Sequence, residues 1–438
     1  MPAPIKIANL VIGFGKAGKT LAMTLAKRGE EVALVERSPA MYGGTCINIA
    51  CIPTKSLIHS ADLGRDWADA WAERRDLTAR LRAANRAALI DAGARLIDGT
   101  ARFTGPRRVE IDGPDGPQVI EADRIFINTG ATPARPPIPG LDALDCVYDS
   151  TTIMERPTLP ARLAIIGGGF IGVEFTSLMA GFGSTVTLIE AAPTFLGRED
   201  RDVADAVRGL LEARGVTILT GVAVERVEAQ GDGARVVLKD GAVDADAVLI
   251  AAGRRPVTGD LDLPAGGVET DDKGFVAVDD RLASSAEGVW ALGDVNGGPQ
   301  FTFISLDDYR IVLNQLTGGA HDSRATRPHW ATCVFTTPPL AHIGLRESET
   351  EGRNIRVARL PAAKIPMAQV MQEPHGLLKA VIDADSDQIL GCTLICENAQ
   401  EVINTVALAM NAGVTATTLG DAIYTHPSMT EALNTLLG

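Results

Sequence analysis

The stretch Asn9-Leu10-Val11-Ile12-Gly13-Phe14-Gly15-Lys16-Ala17-Gly18 carries the first architectural signal. A short apolar run enters three spaced glycines, a helical stretch follows with Leu21 and Leu25 on one face, and Val32-Ala33-Leu34-Val35-Glu36 reads as the next strand. The same order returns later as Leu163 to Ile166, then Gly167-Gly168-Gly169-Phe170-Ile171-Gly172, a helix, and Thr185-Val186-Thr187-Leu188-Ile189-Glu190. In both copies an acidic residue, Glu36 or Glu190, stands 23 positions after the first glycine. One such motif is weak evidence, since any glycine-rich turn can produce it. Two copies with the same offset predict two strand–turn–helix–strand units, each belonging to a nucleotide-binding domain.

Each glycine has a mechanical task. Gly13 and Gly167 permit the tight turn, Gly15 and Gly169 let the backbone approach a pyrophosphate, and Gly18 and Gly172 allow close packing of helix on strand. The helix N-terminus offers unpaired N–H groups to phosphates. Glu36 and Glu190 can accept from ribose hydroxyls, and either would repel a 2′-phosphate. The fold class expected is α/β, with two Rossmann-like, doubly wound nucleotide-binding domains plus an α+β domain.

The chain has 438 residues and 46.0 kDa, a length for roughly three domains. Its formal net charge is −14, which repels a phosphate backbone and excludes nucleic acid as a partner. Aromatic residues are only 4%, so the cores must be aliphatic. No apolar run reaches the ~18 residues of a membrane span, and Met1 to Leu10 shows no signal-peptide pattern. Six cysteines are too few for a secreted disulfide scaffold, so a cytoplasmic setting is expected.

Elsewhere, Ala61 to Leu96 is rich in Ala, Arg and Leu and reads as helix. Arg107 to Ile111, Val119 to Ile120 and Val222 to Val237 read as hairpin strands decorating the two nucleotide-binding domains. Pro133 to Pro139, ending at Gly140, marks a crossing between domains. From Arg327 the strands Leu377 to Ile382 and Ile389 to Ile395 alternate with a helix near Ala399 to Ala412, the pattern of the α+β domain. The expected division is 1–150 with 273–325, then 151–272, then 326–438.

The chemistry concentrates in Gly43-Gly44-Thr45-Cys46-Ile47-Asn48-Ile49-Ala50-Cys51-Ile52-Pro53-Thr54-Lys55. A five-residue offset turns ~140° around a straight helix, so the two thiols can meet only where the backbone departs from ideality at a helix start. The glycines and Pro53 fit such a start, and a helix N-terminus favours a thiolate. Two buried structural cysteines would explain neither the glycines nor Lys55. Cys146, Cys333, Cys392 and Cys396 read as core residues, and the last pair would lie about 13 Å apart on a strand. His59 is either a helix histidine or a substrate-side metal contact; no resident metal site is expected.

Together these segments resemble the FAD-dependent pyridine-nucleotide disulfide oxidoreductases, which include lipoamide dehydrogenase, glutathione reductase and mercuric reductase. The likeness runs through Thr129-Gly130, Gly253-Arg254-Arg255-Pro256, Leu292-Gly293-Asp294 and His426-Pro427-Ser428-Met429-Thr430-Glu431. Within the family, Ala40 to Gly44, Phe303 to Arg310 and Thr425 to Met429 are most similar to the bacterial reactive-chlorine-resistance flavoproteins.

The resemblance implies that Gly13, Gly15, Gly18 and Glu36 hold the ADP half of FAD and that Asp294 accepts from its ribitol chain. Gly44, Thr45, Thr129, Gly130, Gly253, Arg254 and Gly293 join the cofactor-binding set, and Gly167, Gly169, Gly172 and Glu190 serve the nicotinamide cofactor. It implies a redox disulfide between Cys46 and Cys51, with Cys51 nearer the flavin and Cys46 the attacking thiol. Lys55 would sit by flavin N5 and pair with Glu174. His426, oriented by Glu431, would act as proton donor from the second subunit of a homodimer. Ala191 and Ala192 stand where NADPH enzymes commonly place an arginine, so NADH is expected, with Arg198 leaving NADPH possible.

For the substrate the resemblance implies a small oxidant, hypothiocyanous acid or Cu(II), in defence against reactive chlorine and oxidative stress. Mercury is disfavoured because the chain ends Asn434-Thr435-Leu436-Leu437-Gly438 without a cysteine pair, and lipoamide because Tyr424 stands where a second histidine is usual. The remaining alternatives are a lipoamide dehydrogenase-like or mercuric reductase-like enzyme, and a redox-sensing flavoprotein dimer with little turnover.

Overall fold

The computed structural model describes residues 4–438. The chain packs into two units, one of 1–56, 71–134 and 253–327, the other of 57–70, 135–252 and 328–438. It therefore changes unit at Ala134/Arg135 and Ala252/Gly253, where the sequence expectation divides at 150 and 273. Among the described residues no helix is long and apolar enough to cross a membrane.

In the first unit, β1 (Ile5–Ile12) leads through the glycine turn into α1 (Lys16–Lys27) and β2 (Val32–Glu36). All five residues of β2 are buried, as a parallel strand covered on both faces requires. Two short turns of helix, α2 (Thr45–Asn48) and the start of α3 (Cys51–Asp62), carry the cysteine segment. The long α4 (Trp67–Asp91) follows, then β3 (Arg95–Asp98), β4 (Thr100–Gly105), β5 (Arg108–Asp112), β6 (Gln118–Ile127) and β7 (Ala131–Pro133). The sheet runs β3-β2-β1-β6-β5-β4.

The structure corrects two expectations in this region. The helix expected from Ala61 to Leu96 is broken around residues 63–66 and ends at Asp91, because Gly64 and Gly93 stop the two helices; Leu96 lies in β3. Val119 and Ile120 do pair antiparallel with β5 as a hairpin, but they are not peripheral. They lie near the start of the ten-residue β6, whose residues from Ile120 to Ile127 pair parallel with β1.

In the second unit β8 (Val147–Asp149), β9 (Arg162–Ile166), α5 (Phe170–Gly181), β10 (Thr185–Glu190), α6 (Arg201–Ala213) and β11 (Thr217–Thr220) are followed by the antiparallel trio β12 (Val224–Gln230), β13 (Gly233–Leu238) and β14 (Gly241–Ala245), then β15 (Ala247–Ile250). A parallel sheet forms in the order β11-β10-β9-β15-β8. The chain then returns to the first unit with β16 (Arg254–Pro256), β17 (Val289–Ala291) and α7 (Thr302–Thr317). There β16 pairs with β7, and β17 adds a parallel strand against the second half of β6.

The remainder belongs to the second unit: β18 (Ala331–Val334), β19 (Leu340–Gly344), β20 (Ile355–Pro361), α8 (Pro366–Val370), β21 (Leu377–Asp383), β22 (Ile389–Ile395), α9 (Ala399–Asn411), α10 (Ala416–Gly420) and α11 (Ala432–Leu437). Its antiparallel sheet, β18-β19-β22-β21-β20, shares an aliphatic core with α9 and α11 through Leu378, Leu394, Val402, Val406 and Leu433. The molecule is thus an α/β protein with two parallel nucleotide-binding sheets and an antiparallel α+β domain. Lys379 on β21 is 2% exposed, yet its ammonium meets Asp200 at 2.9 Å, Asp202 at 2.8 Å and Glu347 at 2.7 Å, the company a buried charge requires.

Candidate active site

At the first glycine turn β1 ends on Ile12, and Gly13 takes φ +101°, a conformation closed to most side chains. A Cβ on Gly15 would stand 2.3 Å from Asn128 Oδ1, and one on Gly18 would stand 2.8 Å from Val11 Cγ1. The Gly18 amide donates to Asn128 Oδ1 at 2.9 Å, and the Ala17 amide to Ser305 Oγ at 3.2 Å. Gly44 packs on the same turn, since a Cβ there would meet Gly15 Cα at 2.8 Å.

Glu36 at the end of β2 is 8% exposed and accepts from the Phe14 amide at 2.9 Å and the Ser38 amide at 3.1 Å. Burial pushes its carboxyl up, against the pull of those amides. Asp294 is also pushed up by burial, with Arg254 opposing, and Arg254 donates to the Ala131 carbonyl. The Gly293 amide donates to Asp308 Oδ2 at 2.7 Å, and Thr129 Oγ1 donates to the Val257 carbonyl at 2.7 Å. Gly130 lies 4.0 Å from Thr45 Oγ1, measured from an added Cβ. Nothing lies within 4 Å of a Cβ on Gly253.

The cysteine segment follows from this packing. Gly44 caps α2, which lasts only Thr45–Asn48. Ile49 then leaves the helix at φ −140°, and α3 restarts at Cys51. The break removes the ideal-helix offset, and the Cys46 and Cys51 side chains become hydrogen-bond partners. Cys51 Sγ also lies 3.4 Å from Thr302 Oγ1, at the first turn of α7.

The pair shares one readily lost proton. Cys51 is lowered to about 6 by the hydrogen bond from Cys46, against burial, and with help from Thr302 and the charge of Lys55. Cys46 is held up by that same bond and by burial, so it stays a thiol while Cys51 is a thiolate. Lys55 donates to Thr54 Oγ1 at 3.3 Å in the first unit, while Glu174 on α5 accepts from the Phe335 amide at 3.3 Å in the second.

In the second unit Gly167 and Gly172 are closed by backbone: added Cβ atoms would stand 2.6 Å from the Ala251 carbonyl and 1.9 Å from the Gly167 carbonyl. Gly169 has nothing within 4 Å. Glu190 accepts from the Gly168 amide at 2.6 Å and the Ala192 amide at 2.7 Å. Arg198 is exposed. Near the carboxyl end, His426 Nδ1 lies 2.7 Å from Glu431 Oε2, and its side chain is 70% exposed. The His426 bond and the Ser428 amide hold the Glu431 carboxyl below its usual range. Tyr424 donates to the Leu419 carbonyl at 2.8 Å.

His59 is exposed on α3, and no group of three His, Cys, Asp or Glu placed to hold a metal occurs among the described residues. Of the cysteines read as core, Cys392 and Cys396 are buried, but Cys146 and Cys333 are only partly so. Cys146 precedes β8, and Cys333 sits on β18, the edge strand of its sheet.

Sequence reasoning missed Asn128, Ser305, Asp308 and Thr302. Asp308 Oδ1 also takes Arg327 Nη2 at 2.6 Å, so α7 is tied to the turn at Gly293 and to Arg327. The signal was the polar density of Ser305, Asp307 and Asp308, all buried on one helix.

Comparison with known proteins agrees with this geometry. Residues 8–307 match the family model described as pyridine nucleotide-disulphide oxidoreductase, and residues 330–437 match the dimerisation domain of that family. A probable pyridine nucleotide-disulfide oxidoreductase, RclA of Escherichia coli K12, is 46% identical over 434 residues, 98% of each chain. The solved Cu(II) complex of the HOCl-induced flavoprotein disulfide reductase RclA from Escherichia coli superposes with a TM-score of 0.97 at 45% identity, covering 99% of both chains. A mercuric reductase of Bacillus cereus is 32% identical over 448 residues, 97% of this chain and 70% of that protein.

Proposed function

Since this chain belongs to the pyridine nucleotide-disulphide oxidoreductase family and is a flavoprotein disulfide reductase of it, we propose that it passes electrons from NADH through FAD and the Cys46–Cys51 pair to a small oxidant. The observation that carries this reading is the thiol pair itself, brought together across the Ile49 break with the thiolate favoured on Cys51.

The residues present fit FAD. Packing against Asn128 keeps Gly13 and Gly15 free of a Cβ, and packing against Gly15 does the same for Gly44, so the turn is bare backbone of the kind that close approach to a pyrophosphate requires. Asp294 carries a burial penalty that a ribitol hydroxyl would relieve, and Glu36, held by amides at the end of its strand, would accept from a ribose hydroxyl. When bound, FAD would supply the two-electron chemistry that links a nicotinamide hydride to the disulfide. Lys55 offers a cation beside the thiolate, and we assign Glu174 as its partner.

The oxidant we favour is hypothiocyanous acid. Cys46 attacks its sulfur as it gives up its proton, an S–S bond forms, and hydroxide leaves to become water on protonation. Cys51 then attacks the Cys46 sulfur, thiocyanate departs and the disulfide closes, so two thiols are oxidised and one hypothiocyanous acid is reduced. His426, held by Glu431 and standing exposed, supplies the proton from the partner subunit of a homodimer. Cu(II) is the second reading, because the similar Escherichia coli flavoprotein was solved with it; one dithiol would reduce two Cu(II) to two Cu(I). The charge at Glu190 sets NADH over NADPH.

The three-domain division carries the same reading, with 326–438 as the subunit interface. Anaerobic NADH oxidation, followed on adding hypothiocyanous acid, Cu(II), Hg(II), oxidised glutathione or lipoamide in turn, tests it. Rapid turnover with hypothiocyanous acid or Cu(II) is expected, and Cys46→Ser should abolish it while leaving flavin reduction by NADH intact. Loss of both together, or turnover only with glutathione or lipoamide, refutes the assignment.

A further inference from the structure

Lys19 is a buried cation to which the proposed electron path gives no task. It lies on α1, one residue past the third glycine of the first motif, and is 5% exposed. Its Nζ donates to the Gly43 carbonyl at 3.2 Å and to Asn85 Oδ1 on α4. Neither partner carries charge. A buried ammonium with only neutral acceptors is costly.

Gly43 stands three residues before Cys46, so the lysine grips the loop that delivers the outer thiol. The same loop is held from within by Asn48, which donates to the carbonyls of Tyr42 and Gly44 and receives Arg82 from α4 at 2.9 Å. Burial and Lys16 press the Lys19 ammonium down to about 8, while Cys46 pulls it back up. The attraction is mutual, since Lys19 lowers Cys46 against the pull of its bond to Cys51. The other charged and titratable groups around this loop are Lys16 on α1, Arg82 on α4, and the Tyr42–Asp98 hydrogen bond with Arg86 beside it.

We propose that Lys19 is the positioning residue of the outer thiol: its ammonium fixes the Gly43–Gly44 loop and supplies the positive field in which Cys46 becomes a thiolate. Lys55 then serves Cys51 and Lys19 serves Cys46, one cation for each sulfur. The inference rests on the reading of Cys46 as the attacking thiol.

The test measures ionisation of Cys46 alone. In Cys51→Ser holoenzyme, alkylation of Cys46 by iodoacetamide is followed by peptide mass spectrometry across about pH 5 to 10, with and without Lys19→Met. Loss of the ammonium is expected to raise the apparent pKa of Cys46 by about one pH unit, slowing alkylation at pH 7 about tenfold. Asn85→Asp sets a carboxylate against the ammonium and should shift Cys46 in the same direction without removing the lysine. An unchanged profile in Lys19→Met overturns the proposal. If Lys19→Met fails to retain flavin, Asn85→Asp decides: a raised value supports the role, and an unchanged one overturns it. Full oxidant turnover by Cys46→Ser would instead sink the attacking-thiol reading, whatever the alkylation profile shows.

Discussion

At the end of β6 the Asn128 amide donates to the Ile12 carbonyl at 2.8 Å, and at the end of β15 the Ala251 amide donates to the Ile166 carbonyl at 2.8 Å. The first glycines match as well, Gly13 donating to Val35 and Gly167 to Ile189, both at 2.8 Å. The two units thus share a backbone down to single hydrogen bonds. They part at one side chain. Asn128 reaches over its glycine turn, taking the Gly18 amide and donating to the Leu292 carbonyl, whereas Ala251 offers only a methyl group. Above the first turn Gly15 is walled in; above the second, Gly169 is open. A closed turn suits a cofactor that stays, and an open one suits a cofactor that enters and leaves on each cycle.

The sharpest way to break that comparison is to place the same methyl on each turn. Gly15→Ala meets Asn128 Oδ1 at 2.3 Å and is expected to lose its flavin and about 1–3 kcal/mol of stability. Gly169→Ala meets nothing within 4 Å and should keep both flavin absorbance and unfolding temperature, with a raised KM for NADH. Equal damage from the two would end the distinction. Asn128→Ala gives the first copy the side chain of the second; loss of its hydrogen bonds should cost about 1–3 kcal/mol and weaken flavin retention in dialysis.

The pH profile sharpens the comparison from the chemical side. Cys51, lowered to about 6, is ionised above that pH and protonated below it. Oxidant turnover should hold level above about pH 6 and fall about tenfold for each pH unit below, while KM for NADH stays flat. Smallest is the effect of Glu190→Ala, which removes the charge facing a 2′-phosphate. The ratio of kcat/KM for NADPH to that for NADH should rise about tenfold, on the order of 1 kcal/mol. An unchanged ratio would detach cofactor choice from the second copy's acidic residue.

Much of this was legible in the sequence. The duplicated motif, both acidic strand ends and the strands Val32–Glu36, Thr185–Glu190 and Ile389–Ile395 follow from local pattern alone. Local pattern also marks the meeting place of the thiols, since glycines ahead of a cysteine and a proline behind it announce a broken helix. What it could not reveal were long-range partners. Asn128 is 110 positions from Gly18, and Ser305 is 288 from Ala17. The Ala- and Arg-rich stretch after Ala61 hid its interruption because its helical composition continues past the turn, and only Gly64 and Gly93 mark the stops. Cys333 looked like core because a strand pattern does not say which edge of a sheet a residue occupies, and Cys146, just after the domain crossing, had no pattern to place it.

By itself, then, the sequence determined that two nucleotide-binding units exist, that a thiol pair sits at a helix break between them in the chain, and that a histidine and a glutamate lie five residues apart near the carboxyl end. Each of these depends on spacing within a few turns of backbone. Tertiary structure alone decided which glycine turn is closed, that the bond between the thiols favours the thiolate on Cys51, and that Lys19 is buried on neutral acceptors. Those outcomes depend on side chains arriving from strands and helices far away in sequence, where burial and a single hydrogen bond shift an ionisation that spacing cannot see.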